Sequence, residues 1–160
     1  MKDPVTKIML MEHRHIPACR AIAVCSEPWR SLQENIDFRP YIERKQAHVC
    51  TIDGKPAGFI VFTPEPVFAR GGYLRAIGVD PGWRRRGIGK KLLAYAEART
   101  MRQAPNFYLC VSSFNRRAQA FYKRLGYDRV GKIPDLILAG SSELIYWKRL
   151  RPLSGEKRRM

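Results

Sequence analysis

Apolar residues recur along the chain in two rhythms, and the places where one gives way to the other mark out its elements. Thr6 to Met11 is an apolar-rich run that predicts an opening strand, and His15 to Val24 follows as a short helix with Pro17 tolerated in its first turn. Ser26-Glu27-Pro28-Trp29 interrupts the pattern. Leu32, Ile36 and Tyr41-Ile42 then predict a second, irregular helical stretch to about Lys45. Ala47 to Ile52 and Pro56 to Phe62 are apolar runs joined by Asp53-Gly54-Lys55, and Asp-Gly between two such runs favours a hairpin with a primed turn. Thr63 to Arg70, with Pro64 and Pro66, predicts a loop that releases through Gly71-Gly72 into a strand from Tyr73 to Val79.

Asp80-Pro81-Gly82 breaks that strand by turn chemistry, since Pro fixes φ and Gly tolerates positive φ. A helix then runs from near Gly87 to Met101, with Ile88, Leu92, Tyr95 and Ala96 on one face. Asn106 to Val111 is the continuous apolar run of a buried strand. Asn115 is a good N-cap for a second packed helix, in which Ala118, Phe121, Tyr122 and Leu125 share a face and which ends at Gly126. Tyr127 to Val130 with Ile133, and Glu143 to Trp147, close the chain as two strands connected through Gly140-Ser141-Ser142. The order β-α-α-β-β-β-α-β-α-β-β predicts an α/β fold: one mixed, twisted sheet of about seven strands with helices on both faces.

Composition narrows the class without naming a function. The 160 residues are one domain's worth, 45% hydrophobic and 28% charged, with no apolar run long enough to span a bilayer. Residues 1–150 are expected to form a single domain and 151–160 a basic, mobile tail. The N-terminus Met-Lys-Asp-Pro-Val lacks an apolar signal segment, so a cytoplasmic location is expected. Cys19, Cys25, Cys50 and Cys110 form no Cys-x-x-Cys pair and read as reduced, structural thiols. His13-x-His15 with Cys19 matches no common metal spacing, and no metal is expected. The net charge of +16, from 30 Lys and Arg against 14 Asp and Glu, exceeds what one anionic ligand requires. A solubilising surface is favoured over nucleic-acid association, because no aromatic-basic RNA signature accompanies the charge.

The junction after Val79 carries chemistry. Nothing from Trp83 to Ile88 is a Ser, Thr, Asp or Asn that could satisfy the first helical N–H groups. Gly87 and Gly89 let a ligand approach that backbone, and Arg84, Arg85, Arg86, Lys90 and Lys91 surround a helix N-terminus of partial positive charge. A pyrophosphate suits such a site. There is no Gly-Lys-Ser/Thr for a nucleotide P-loop, and the third glycine of a dinucleotide fingerprint is absent.

The spacing Arg84-x-x-Gly87-x-Gly89 resembles the acetyl-CoA signature of the GNAT superfamily of N-acetyltransferases. Asn115-x-x-Ala118-x-x-Phe121-Tyr122-x-x-x-Gly126-Tyr127 resembles the second motif of that family, and the resemblance covers roughly residues 47 to 147. It implies acetyl-CoA as acyl donor. Backbone N–H groups of Arg86, Gly87, Ile88, Gly89 and Lys90 would hold the pyrophosphate, with Arg84, Arg85 and Arg86 supplying cations. Backbone of Ile77, Gly78 and Val79 would bind the pantetheine, and a backbone N–H there would polarise the thioester carbonyl. Asn115 would contact the pantetheine arm, and Tyr122 would act as general acid toward the departing thiolate. In the apolar stripe alone, Tyr122 reads as core.

The general base departs from the family pattern. Where many members carry a Glu near the start of the central strand, Tyr73 stands; where others carry one five residues before the motif Asn, Cys110 stands. Glu27, in the segment that the resemblance places beside the acceptor cleft, is the substitute this chain offers, with water relayed by Ser112, Ser113 or Tyr73 as another route. Deprotonating a lysine at pH 7 costs about 4.6 kcal/mol and an α-amine only about 1 to 1.4, so weak base provision leans toward an acceptor of low pKa. The implied reaction is direct attack of a primary amine on acetyl-CoA in a ternary complex. The acceptor is a small molecule or a protein N-terminus or lysine, and a homodimer is compatible with the family. A catalytically silent acetyl-CoA-binding module and an aminoglycoside acetylase are the alternatives.

Overall fold

The structure, a computed structural model, describes residues 2–153 and Gly155. In chain order its elements are β1 (Thr6–Leu10), α1 (Ile16–Val24), α2 (Trp29–Leu32), α3 (Arg39–Glu43), β2 (Ala47–Ile52), β3 (Lys55–Phe68), β4 (Gly71–Val79), α4 (Ile88–Met101), β5 (Asn106–Ser112), α5 (Arg116–Arg124), β6 (Asp128–Pro134) and β7 (Ser142–Arg149). The strands form one sheet in the order β1-β2-β3-β4-β5-β7-β6, the mixed α/β class that the alternation of patterns predicts. Arg158 and Arg159 of the expected tail lie outside the described residues. By their internal contacts the residues group into two compact units. One comprises the described residues up to Phe62 together with Leu74–Ala96; the other comprises Thr63–Tyr73 together with the described residues from Glu97 onward.

The first unit is layered because β2 and β3 are apolar on both faces. Side chains alternate across a strand, so Ala47, Val49, Phe59 and Val61 join Met11, Cys19, Ile22, Ala23, Phe38 and Ala76 in one buried cluster. On the opposite alternation, the rings of His48, Phe62 and Tyr95 stack and meet edge to face. The hairpin turn takes φ of +48° at Asp53 and +81° at Gly54, the positive pair of a primed turn. β1 and β2 pair antiparallel from Thr6↔Ile52 to Leu10↔His48.

Two expectations are corrected here. The stretch from Leu32 to Lys45 is two short helices, because Gln33 turns to a φ of +53° at the end of α2 and Pro40 restarts a helix in the first turn of α3. Thr63 to Arg70 is mostly strand: β3 continues through Phe68, and only Ala69 and Arg70, both at positive φ, make the turn. Pro64 and Pro66 are compatible with this because of parity. Phe62 donates its N–H to Gln46 on the β2 side, so the missing N–H groups two and four residues on fall on that same side, where pairing with β2 has ended.

In the second unit, β7 pairs antiparallel with both β5 and β6. The cap on α5 is as expected, with Asn115 Oδ1 accepting from the Ala118 N–H at 3.1 Å. Tyr122 packs its ring 5.6 Å from that of Tyr127 and 6.5 Å from that of Tyr146. The Tyr127 hydroxyl donates to Glu97 Oε1 at 2.8 Å, and Lys148 Nζ donates to both Glu97 oxygens at 3.1 Å. A buried phenol is thereby paid for by an ion pair that is itself mostly shielded.

Candidate functional site

In the first unit the passage from β4 to α4 is shaped by three turn-forming positions. Asp80 Oδ1 accepts from the Gly82 N–H at 2.8 Å and closes a 3₁₀ turn over Pro81–Trp83. Arg85 and Gly87 then adopt φ of +62° and +79°, and α4 opens at Ile88, with the Gly87 carbonyl accepting from Lys91 at 3.0 Å. A Cβ at Gly87 would meet no atom within 4 Å, so the space before the first turn is open. Ile88 anchors that turn in the core while Arg85, Arg86, Gly87 and Lys90 are exposed and Gly89 is half-buried. The Arg86 guanidinium lies 5.0 Å over the Trp83 ring. First-turn N–H groups, positive dipole and exposed cations at a residue without a side chain are the donor set that a phosphate group fits.

Arg84 bridges two backbone carbonyls. Its guanidinium donates to the Cys25 carbonyl at 2.8 Å and, through Nε, to the Val79 carbonyl at 3.2 Å. The end of α1 leaves carbonyls without helical partners, and a planar fork can bridge one of them to the end of β4, so Arg84 ties two segments together. Gly78 is held by packing: a Cβ there would lie 2.6 Å from Phe59 Cε1 and 3.2 Å from Ile22 Cγ2. Gly58 does the same for α4, since its Cβ would lie 2.9 Å from the Gly78 carbonyl and 3.1 Å from Leu92 Cδ1. Ile77 and Val79 are half-buried.

Glu27 lies two residues before α2. Its carboxylate accepts from the Ser31 N–H at 3.2 Å and from Arg30 Nε at 3.1 Å. Burial pushes its pKa up, but the hydrogen bonds from Ser31 and Arg30, with the Arg30 charge, outweigh that and hold it below the usual carboxylate value. A carboxylate so satisfied is a weaker proton acceptor than an ordinary one. His15 accepts at Nδ1 from the Glu12 N–H at 3.0 Å. Among the described residues no three His, Cys, Asp or Glu side chains converge to hold a metal ion.

The second unit holds Asn115 and Tyr122, and also the two positions at which the family's glutamates are missing. Tyr122 is 5% exposed, and burial raises its pKa above the ordinary phenol value. Its hydroxyl is therefore a proton-bearing donor throughout the neutral range. Tyr73 and Cys110, far apart in sequence, come close enough for Tyr73 to act on the pKa of the thiol. Burial raises the Cys110 pKa, the Tyr73 hydrogen bond lowers it, and the charge of Glu143 raises it again. Glu143 itself is 4% exposed and accepts from Ser112 Oγ at 2.5 Å. Ser113 Oγ is engaged by the Ser142 N–H at 3.0 Å.

Sequence patterning misses Glu143 because an acid at the head of an apolar strand reads as a solvated end, and its partner Ser112 is brought to it only by the β5–β7 register. A cavity of about 300 Å³ among Arg70, Asn106, Arg149 and Arg151 also belongs to this unit, and neither motif lines it. No helix among the described residues is long and apolar enough to cross a membrane.

Comparison with known proteins bears on both motifs. Over 82 residues the chain is 32% identical to the peptidyl-lysine N-acetyltransferase YjaB of Salmonella typhimurium, a match covering 51% of this chain and 49% of that protein. The chain thus spans about half or less of the length of the curated relatives it matches. Among solved structures, the ribosomal-protein-S18-alanine N-acetyltransferase from Escherichia coli aligns with a TM-score of 0.75 at 19% identity, over 96% of this chain and 99% of that one. Arabidopsis thaliana Naa50, solved with the bisubstrate analogue CoA-Ac-MVNAL, aligns with a TM-score of 0.73 at 17% identity, over 89% and 97%. Both show the same fold. Residues 15–127, which include the β4–α4 passage, the Asn115 cap and Tyr122, match the model of the acetyltransferase (GNAT) family, and the chain belongs to that family.

Proposed function

We propose that this protein transfers an acetyl group from acetyl-CoA to a primary amine by direct attack in a ternary complex. The observation that carries the reading is the opening of α4, where first-turn N–H groups, exposed Arg85, Arg86 and Lys90, and open space at Gly87 form a phosphate cradle. Bound there, acetyl-CoA would supply an activated thioester. The chain's part is to hold its phosphates on that backbone, to bind the pantetheine through Ile77 to Val79 and Asn115, and to meet charge as it develops.

Tyr122 acts as a hydrogen-bond donor to the departing thiolate more than as a full acid. An ordinary thiol titrates near 8.5 and an ordinary phenol near 10, so complete proton transfer is uphill by about 2 kcal/mol before burial adds to it. Stabilisation without transfer needs only that the hydroxyl stay protonated, which burial secures.

A second reading, an acetyl-CoA-binding module without turnover, is supported by the satisfied state of Glu27 and by Tyr73 and Cys110 at the family's base positions. The acceptor is a peptide amine, as the name of the Salmonella relative suggests, or a small amine such as an antibiotic, as for a second relative, blasticidin-S acetyltransferase.

The test is the thermal unfolding midpoint with acetyl-CoA, against dephospho-CoA and pyrophosphate. At about 100 times the dissociation constant, binding linkage gives about 2.7 kcal/mol, or roughly 5 to 11 °C for a domain of this size. No shift at millimolar acetyl-CoA overturns the reading, and a shift without amine turnover favours the silent module.

A further inference from the structure

The cavity of about 300 Å³ in the second unit is lined by Arg70, Arg149 and Arg151, and none of its described lining residues is acidic. The three arginines are exposed and come from three places: the turn between β3 and β4, the end of β7, and the residues just beyond it. Hydrogen bonds outside the strand ladders pin the backbone that carries them. Ala69 and Arg70 turn at φ of +39° and +59°, and their carbonyls accept from the Tyr108 hydroxyl at 3.1 Å and from Asn106 Nδ2 at 3.2 Å. Beyond β7, the Leu150 and Arg151 N–H groups both donate to the Pro105 carbonyl, at 2.7 and 3.3 Å.

Aromatic rings adjoin this cavity. The β5–β7 register sets Asn106 opposite Arg149 and Tyr108 opposite Trp147. Alternation then puts these four on one face of the two strands, with Leu109, Leu144 and Tyr146 on the other. Phe68, 56% exposed, meets the Tyr108 ring edge to face at 5.1 Å, and the Arg149 guanidinium lies 5.5 Å over the Trp147 ring. The Trp147 indole N–H donates to Asn106 Oδ1 at 2.8 Å, as the Tyr108 hydroxyl does to Ala69, so what these side chains offer a ligand is ring surface. The acids that register brings to this face are Asp128, opposite Trp147, and the buried Glu143, and neither lines the cavity.

Guanidinium groups gathered without a carboxylate among them attract an anion. An acidic peptide and a nucleic acid both meet that charge, and the rings separate them. The face of an aromatic ring is negative and gains nothing from a carboxylate, whereas a nucleobase stacks both on such a ring and on a guanidinium plane. We propose that this face of β5 and β7 binds single-stranded nucleic acid, with phosphates on Arg70, Arg149 and Arg151 and bases on the Phe68 ring and the Arg149–Trp147 stack. No sequence window contains this combination of rings and arginines; strand register and the β3–β4 turn assemble it. The site shares no residue with either motif and does not depend on the acetyltransferase reading.

Fluorescence anisotropy of the full chain with a labelled oligoadenylate of about 12 nucleotides measures the interaction. In a plot of log Kd against log salt, each phosphate contact contributes about 0.7 to the slope, so R70Q/R149Q/R151Q should lower it by about 2. Should that variant fail to fold, Arg151→Gln alone, beyond the last strand, should lower it by about 0.7. Phe68→Ala should weaken binding about 5- to 150-fold, the range for one stacked base, and leave the slope unchanged. The deoxy strand of the same sequence should bind comparably, because rings and guanidinium groups meet bases and phosphates. A duplex of the same length should bind more weakly despite its greater charge, because its bases are already stacked. Absence of binding, a slope that the arginine changes do not move, a preference for the duplex, or polyglutamate competing as well as the unlabelled strand overturns the assignment. So does a parallel loss of acetyl-CoA affinity in the arginine variants, which would assign those side chains to the cofactor. Wild type that binds the strand but not acetyl-CoA overturns the proposed acetyl transfer and supports this site.

Discussion

The guanidinium of Arg84 donates to the carbonyl of Cys25 at 2.8 Å across 59 residues of sequence, and so fastens the β4–α4 passage to the end of α1. The first residue of the Arg84-x-x-Gly87-x-Gly89 spacing is thus a brace for the passage it opens. Arg84→Ala should cost about 1.5 to 3 kcal/mol, the range for hydrogen bonds to a charged group. Arg84→Lys should recover only part of that, because an ammonium cannot span two carbonyls as a planar fork does. Urea midpoints measure the first; acetyl-CoA affinity in the two variants shows whether the brace preorganises the cradle.

Gly78 and Gly58 should resist even one added carbon. Gly78→Ala would drive a methyl into the Phe59 ring, and Gly58→Ala would press on the Gly78 carbonyl and on Leu92 under α4. Each is expected to destabilise by about 1 to 3 kcal/mol. Gly131→Ala, whose nearest neighbour would be the flexible tip of Ile145 at 3.2 Å, should cost less. Thermal midpoints of the three variants, compared directly, check the order.

Tyr122→Phe keeps the ring that packs on Tyr127 and Tyr146 and removes only the hydroxyl. Turnover should fall about 10²-fold, with the thermal midpoint and acetyl-CoA affinity little changed. Unaltered turnover would return Tyr122 to the core and take it out of the mechanism.

His15 makes stability depend on pH. Burial, and then the charge of Arg14, lower its pKa from 6.5, while Glu12 opposes them. The folded protein therefore binds fewer protons than the unfolded chain, so the contribution of His15 is fully present above about pH 6.5 and is lost as pH falls through the lowered folded value. Protonation would also remove the Nδ1 lone pair that accepts from Glu12 N–H. His15→Gln should flatten the slope of midpoint against pH below 6.5, and an unchanged slope would assign it to other groups.

Thiol labelling should separate the cysteines. Cys25 is exposed, whereas Cys19 is buried with its pKa pushed up to about 12 and Cys50 is buried with its pKa raised by the same cause. A disulfide reagent on the folded protein should find one fast thiol, absent from Cys25→Ser, with Cys19 and Cys50 reacting only on unfolding.

Much of this protein is written in local chemistry. The Asp53-Gly54 turn, the Asn115 cap, the continuous apolar runs of β2 and β5 and the bare N-terminus of α4 each follow from residues within a few positions of one another, where turn preference, capping and periodicity act. The spacing of Arg84, Gly87 and Gly89 and of Asn115 and Tyr122 belongs to the same class, and it carried the family. What the sequence could not determine involves partners brought together over distance. Whether Pro64 and Pro66 end a strand depends on which side of β3 still has a neighbour, and Gly58 and Gly78 are required by Phe59, Ile22, Ile88 and Leu92 rather than by any turn. Arg84 finds its acceptors at the end of a helix 59 residues earlier. Glu143 meets Ser112 through strand register, 31 residues apart, and becomes a buried acid only there. Burial and hydrogen-bond partnership, which set the chemistry of a side chain, are properties of the packed fold, and no window along the chain contains them.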